Sequence, residues 1–118
     1  MNRILSEEFL NNYREIENTP LSNIGEFVYL RTYSRYLDNK KRRENWFETV
    51  LRTTEYNIEL GINFKKKHGL FINMNDEIKE AELLFDNLFN LRTFTSGRTL
   101  YMGGTDIVKN YPLSNYNC

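Results

Sequence analysis

A chain of 118 residues, 40% apolar and 27% charged, has room for one domain and falls outside the collagen-like and strongly disordered classes. Sixteen basic and sixteen acidic side chains cancel, which argues against a surface given over to nucleic acid or an anionic membrane. A single cysteine rules out an internal disulfide, and no run approaches the roughly 18 apolar residues of a membrane-spanning helix.

The opening, MNRILSEEFLNNYREIE, is charged from its first turns and lacks the apolar centre of a secretory leader, so a reducing, cytoplasmic setting is expected. Within it Leu5, Phe9, Leu10, Tyr13 and Ile16 recur at near-helical spacing. Ser6 with Glu7 and Glu8 supplies a cap and acids for the positive end of the helix dipole. Pro20 ends this element. IGEFVYLRTYSRYL follows, and its period fits a strand as well as a helix. Arg31 and Arg35 share a face if it is helical, and suit either anchors for a carboxylate or phosphate or ion pairs within the domain.

NKKRRENWFETVLRTTEYNIELG gives the clearest helix. Phe47, Val50, Leu51, Thr54 and Ile58 form its stripe, Trp46 lies beside them, and Gly61 is its expected stop. Lys40 to Arg43 fall at its start, where cations are mildly unfavourable, and read as a solvated face. INFKKKHGLFINMN reads as a loop. Its His68 is the sole histidine, with no carboxylate or cysteine close in sequence, so no metal site is expected. DEIKEAELLFDNLFNLRTF is a second helix, with Asn75 as cap and Ile78, Ala81, Leu84, Phe85, Leu88 and Leu91 turned inward.

The last quarter, TSGRTLYMGGTDIVKNYPLSNYNC, holds three of the six glycines and reads as turns and short extended pieces. Gly97, Gly103 and Gly104 allow close backbone approach, while Ser96, Thr99 and Thr105 carry hydroxyls. With Arg98 alongside, the stretch suits a phosphate group. It is not a P-loop, because no Gly-Lys-Ser/Thr follows, and a tight turn before a strand is the competing reading. Cys118 by itself is either a small apolar side chain or a reactive thiol.

Three stretches, FVYLRTYSRYL, NLRTFTSGRTLYMGGT and PLSNYNC, resemble in that order the amino-terminal region of adenosylcobalamin-dependent (class II) ribonucleotide reductases, most of all the monomeric ribonucleoside-triphosphate reductase type. The resemblance implies a mainly α fold. A helical region over residues 1–94 would be followed, over 95–118, by a short extended Gly/Thr-rich tail leading into the first strand of an α/β barrel that this chain lacks. It implies a ribonucleoside triphosphate whose phosphates meet Ser96, Gly97, Arg98 and Thr99. It makes Cys118 one of two redox-active thiols restored by a thioredoxin-like reductant. The adenosylcobalamin site would lie mostly outside this chain. The remaining reductase polypeptide becomes the expected partner, whether through a split gene, an intein or intron, or a truncated sequence; with an intein, Cys118 is instead the splicing nucleophile. The chain alone is expected to be inactive. Thr95 stands where the family pattern has a proline, which makes the loop less rigid.

Two rivals accompany this reading. A small helical interaction module without a catalytic role predicts that the 95–105 segment packs on the protein's own helices, whereas the fragment reading predicts that it orders only with a complementary polypeptide. Nucleic-acid binding through NKKRREN and FKKKHG is not expected, and it would have to weaken steeply with salt.

Overall fold

The structure is a computed structural model describing residues 3–16 and 19–115, which form six helices, one two-stranded ribbon and a closing 3-10 turn. Helix α1 (Glu7–Arg14) starts where expected: the Ser6 hydroxyl accepts from the Phe9 N–H at 3.2 Å, with Glu7 and Glu8 in the first turn. Helix α2 (Asn23–Thr32) resolves the ambiguous IGEFVYLRTYSRYL. Ser22 caps it, Tyr29 is its buried side chain, and after Thr32 the chain turns into strand β1 (Tyr36–Leu37). Strand β2 (Arg42–Arg43) pairs with it antiparallel, Tyr36 opposite Arg43. Lys40 to Arg43 thus belong to a hairpin and not to a helix start, with Lys41 at φ 52° in the turn. Arg35 lies beyond α2, so it shares no helical face with Arg31.

Helix α3 (Trp46–Lys67) begins with a reciprocal capping box. The Asn45 side chain accepts from the Glu48 N–H, and the Glu48 carboxylate accepts from the Asn45 N–H, each at 2.9 Å. The helix continues through Gly61, the expected stop. A mid-helix glycine costs about 1 kcal/mol relative to alanine, less than the roughly 2 kcal/mol from burying Ile62 one residue on. Termination waits for Gly69, whose φ of 64° only glycine adopts without strain. The first half of the expected loop is therefore helical.

Burial alone would raise the Glu48 carboxyl, but hydrogen bonds from Arg42, Lys40 and the Asn45 amide outweigh it and hold it down at about 2. The folded value lies below the ordinary 4.5, so its stabilising contribution is complete above pH 4.5 and is lost as pH falls toward 2. Thermal melts should show the melting temperature dropping through that window, and Glu48→Gln should flatten the drop.

Helix α4 (Met74–Phe89) is capped by Asn73, not Asn75: the Asn73 side chain accepts from the Asn75 N–H at 3.0 Å. Ala81, Phe85 and Leu88 form the fully buried centre of its inward face, with Leu84 at the margin, whereas Leu91, expected on the same face, lies past the Asn90 cap at φ 59° and packs on the core from there. The α3–α4 seam is the main core contact. Phe85 lies at its centre, with ring centroids of Phe9, Tyr13, Phe47 and Phe89 within 5.0–6.0 Å. The Tyr13 hydroxyl donates to Asp86 at 2.6 Å, fastening α1 to α4. Burial, then that bond, push the phenol up to about 12.

The tail departs from the expected extended form. Helices α5 (Gly97–Met102) and α6 (Asp106–Asn110) precede a 3-10 turn at Pro112–Asn115. Each short helix is too brief to show an amphipathic period, and each is fixed by one buried apolar residue, Leu100 or Val108. The segment packs on α3 within the chain's own fold, as the interaction-module reading expects. The role assigned to Cys118 lies outside the described residues.

Candidate functional site

Two arginines hold the Gly97–Gly104 segment in place. Arg52, on α3, donates to the carbonyls of Leu100 and Gly103, both at 2.7 Å. The same guanidinium pairs with Glu44 at 2.6 Å, and the Glu44 side chain is only 3% exposed. Glu44 also accepts from the Thr49 hydroxyl at 2.8 Å and the Arg35 N–H at 3.2 Å. Its own carbonyl receives the Ser34 hydroxyl at 2.6 Å and the Tyr29 hydroxyl at 3.1 Å. Burial raises the Tyr29 phenol to about 12, which keeps it a proton donor in this network. Arg35 completes the clamp: it donates to the Tyr101 carbonyl at 3.0 Å, and its guanidinium lies 5.0 Å from the centre of that ring.

The four residues expected at a phosphate divide into two pairs. The Ser96 hydroxyl caps α5, accepting from the Thr99 N–H at 3.2 Å and sharing a 2.9 Å hydrogen bond with the Thr99 hydroxyl. Thr99 is buried. Gly97 and Arg98 face outward, lining a shallow concavity of about 630 Å³ with Thr32, Tyr33, Tyr101 and Met102. A Cβ at Gly97 would come within 2.9 Å of the Tyr33 ring, so only glycine passes there without displacing it. Gly103 is tighter still. Its Cβ would sit 2.6 Å from the Thr99 carbonyl oxygen and 2.8 Å from the Tyr56 ring. Gly103→Ala should therefore destabilise the fold by about 2 kcal/mol through overpacking, read from the urea midpoint.

Arg35 was visible in the sequence as a candidate anchor, but Glu44 and Arg52 were not. Glu44 precedes α3 and Arg52 sits within it, so no helical period links them. Their pairing exists only because the β2–α3 connection turns the Glu44 carboxylate back over the helix.

Among the described residues no group of three His, Cys, Asp or Glu side chains is placed to hold a metal ion. The concavity is edged by Arg98 and offers no broad apolar face for a corrin ring, so it does not fit adenosylcobalamin.

The sequence profile of the ribonucleotide reductase alpha domain matches residues 5–105. The chain belongs to that family. An adenosylcobalamin-dependent ribonucleoside-triphosphate reductase from Lactobacillus delbrueckii subsp. bulgaricus is 35% identical over 114 residues, covering 97% of this chain and 15% of the relative. The reductase of the same description from Lactobacillus gasseri is 40% identical over 95 residues, 80% of this chain and 13% of the relative. A probable reductase of this kind from Dictyostelium discoideum is 32% identical, over 86% of this chain and 13% of that protein. Among solved structures, a B12-dependent (class II) ribonucleotide reductase superimposes with a TM-score of 0.84 and 32% identity, over 99% of this chain and 16% of that one. This member of the reductase family thus spans about 15% of the length of the curated relatives it matches. No helix among its described residues is long and apolar enough to cross a membrane.

Proposed function

We propose that the chain is the amino-terminal segment of an adenosylcobalamin-dependent ribonucleoside-triphosphate reductase, in which the Gly97–Arg98 concavity receives the substrate phosphates and Cys118 supplies one of two reducing thiols. The observation that carries this reading is the 0.84 TM-score to a class II reductase across 99% of the chain. The clamped loop supports it. Arg98 offers a charge-assisted partner for a phosphate, and the Tyr33 ring packed against Gly97 forms the wall beside it. Ser96 and Thr99 act from behind, fixing the first turn of α5 so that Gly97 and Arg98 are presented in one geometry.

In the complete reductase the substrate 2′-hydroxyl leaves as water. Cys118 and a second thiol from the remaining polypeptide give up two electrons and two protons and become a disulfide, which a thioredoxin-like dithiol reduces again by exchange. One thiol cannot do this, so the isolated chain is inactive. Residues 95–118 lead toward the barrel that the remaining polypeptide builds. Exposed apolar side chains suit a surface which that polypeptide covers: Ile24 and Phe27 on α2, and Leu113 in the closing turn, are 78%, 63% and 83% exposed.

The packed tail is also what a stand-alone interaction module would have, and reconstitution separates the two. The chain is combined, by mixing or fusion, with the rest of the Lactobacillus delbrueckii reductase, adenosylcobalamin, a ribonucleoside triphosphate and a dithiol. Deoxyribonucleotide should form only in the combination, Arg98→Gln should raise KM about tenfold, and Cys118→Ser should abolish turnover. An assembled complex that makes no product, or full activity in the Cys118→Ser variant, overturns the proposal.

A further inference from the structure

A second concave site, separate from the Gly97–Arg98 concavity, is lined by Arg52 and borders the end of the loop that this residue clamps. Five cations converge on a cleft of about 640 Å³: Arg3 ahead of α1, Arg14 at its end, Lys40 and Arg42 from the hairpin, and Arg52 from α3. Four separate segments supply them, so the cluster comes from the fold and not from one basic run in the sequence.

Arg52 is already paired with the buried Glu44, and the other four cations share two carboxylates. Lys40 and Arg42 both bond to Glu48, at 2.6 and 2.8 Å, while Arg3 and Arg14 both bond to Glu7, at 3.3 and 3.0 Å. Glu55 accepts the backbone N–H groups of Ile4 and Leu5 at 3.2 and 3.5 Å. A guanidinium carries five N–H donors, so Arg3 and Arg14 keep the capacity to engage a further acceptor alongside Glu7. Phe47 and Leu51 form an apolar floor beside the charges, and Gly104, at φ 78°, brings bare backbone to the rim.

We propose that this cleft binds the polyphosphate chain of a nucleotide, at a site distinct from the Gly97–Arg98 concavity. Closely set arginines and a lysine match the repeated negative charge of linked phosphates, and the Phe47–Leu51 floor suits the nucleoside. Arg52 lines the cleft and also holds the Leu100 and Gly103 carbonyls, so an anion in the cleft acts on the residue that holds the loop. The assignment does not depend on the reductase reading.

The test uses the full 118-residue chain with inorganic tripolyphosphate and, separately, ATP, by isothermal titration at low salt and by amide chemical-shift mapping. One saturable site is expected. Its shifts should fall on Asn45, Glu48 and Gly104 and leave Ser96–Thr99 unmoved, and its affinity should weaken with ionic strength. The Arg3→Gln/Arg14→Gln double variant should bind about tenfold more weakly, while Lys79→Gln, on α4 away from the cleft, should bind as the parent does. Tighter binding of ATP than of tripolyphosphate supports the apolar floor as the nucleoside seat, and equal binding supports a site for the phosphates alone. The proposal is overturned by absence of saturable binding, by shifts centred on Ser96–Thr99, or by equal weakening in Lys79→Gln. Circular dichroism checks the double variant, and should it fail to fold, the shift map of the parent chain decides. Failure here would leave the reconstitution result standing, because that experiment reads turnover and Cys118.

Discussion

Replacing Arg52 by methionine is expected to destabilise the fold by about 3–5 kcal/mol, the range for removing one partner of a buried ion pair. Arg52 and Glu44 are 17% and 3% exposed at the side chain, so the carboxylate left behind has little water to turn to. The thioether also leaves the Leu100 and Gly103 carbonyls without the donors that hold them at 2.7 Å. The loss should therefore be larger than that of a surface pair, which is worth at most about 1 kcal/mol. Urea denaturation gives the magnitude, and amide exchange gives the location: protection should fall first over residues 97–104. A cost below 1 kcal/mol would show that the loop is held by its apolar contacts and not by the arginine. Replacing Glu44 and Arg52 together by apolar residues of similar size should recover part of the loss, because the uncompensated charge is then gone.

Phe85→Ala should cost a similar amount, about 3–5 kcal/mol, for a different reason. Phe85 is fully buried, and its ring meets four others from α1, α3 and α4. Truncation removes apolar burial and leaves a cavity that helices fixed by their caps close only in part. Phe85→Leu, which keeps most of the volume, should cost less than about 1.5 kcal/mol. The ratio of the two, measured from urea midpoints at unchanged slope, separates packing from a general loss of structure. Equal costs would mean that the edge-on ring geometry, and not the filled volume, carries the contribution of this residue.

Much of the helical frame was legible because it rests on local rules. Ser6 before two glutamates marked α1, and the spacing of Ala81, Phe85 and Leu88 marked α4, since capping and a 3.6-residue period act over a few neighbours. Elsewhere tertiary contacts override local preference. Local propensity makes Gly61 a stop, yet Ile62 is buried beyond it and draws the helix on. The tail reads as extended because its glycines, hydroxyl residues and proline are turn signals, but Leu100 and Val108, each buried in the fold, sit in two short helices. Asn45 and Glu48 spell a capping box in the sequence, and it fixes the start of α3. At the site, Arg98 and Gly97 could be named from composition, whereas the Glu44–Arg52 clamp could not. It joins a loop residue to a helix residue, and no periodicity predicts a bend in the chain. The family itself was legible through motif order, which the profile match over residues 5–105 bears out.

Trp46 is the chain's single tryptophan, and its placement makes the protein its own spectroscopic reporter. The indole is buried at the first turn of α3, donates its N–H to the Phe89 carbonyl at 2.9 Å, and meets the Tyr29 ring edge-on at 5.2 Å. One fluorophore therefore touches α2, α3 and the end of α4 at once. Its emission should be blue-shifted in the folded chain and move to the red only when that three-way junction opens. A change seen at Trp46 without loss of far-ultraviolet helical signal would register the junction loosening before the helices melt, in unlabelled protein at the concentrations that refolding studies use.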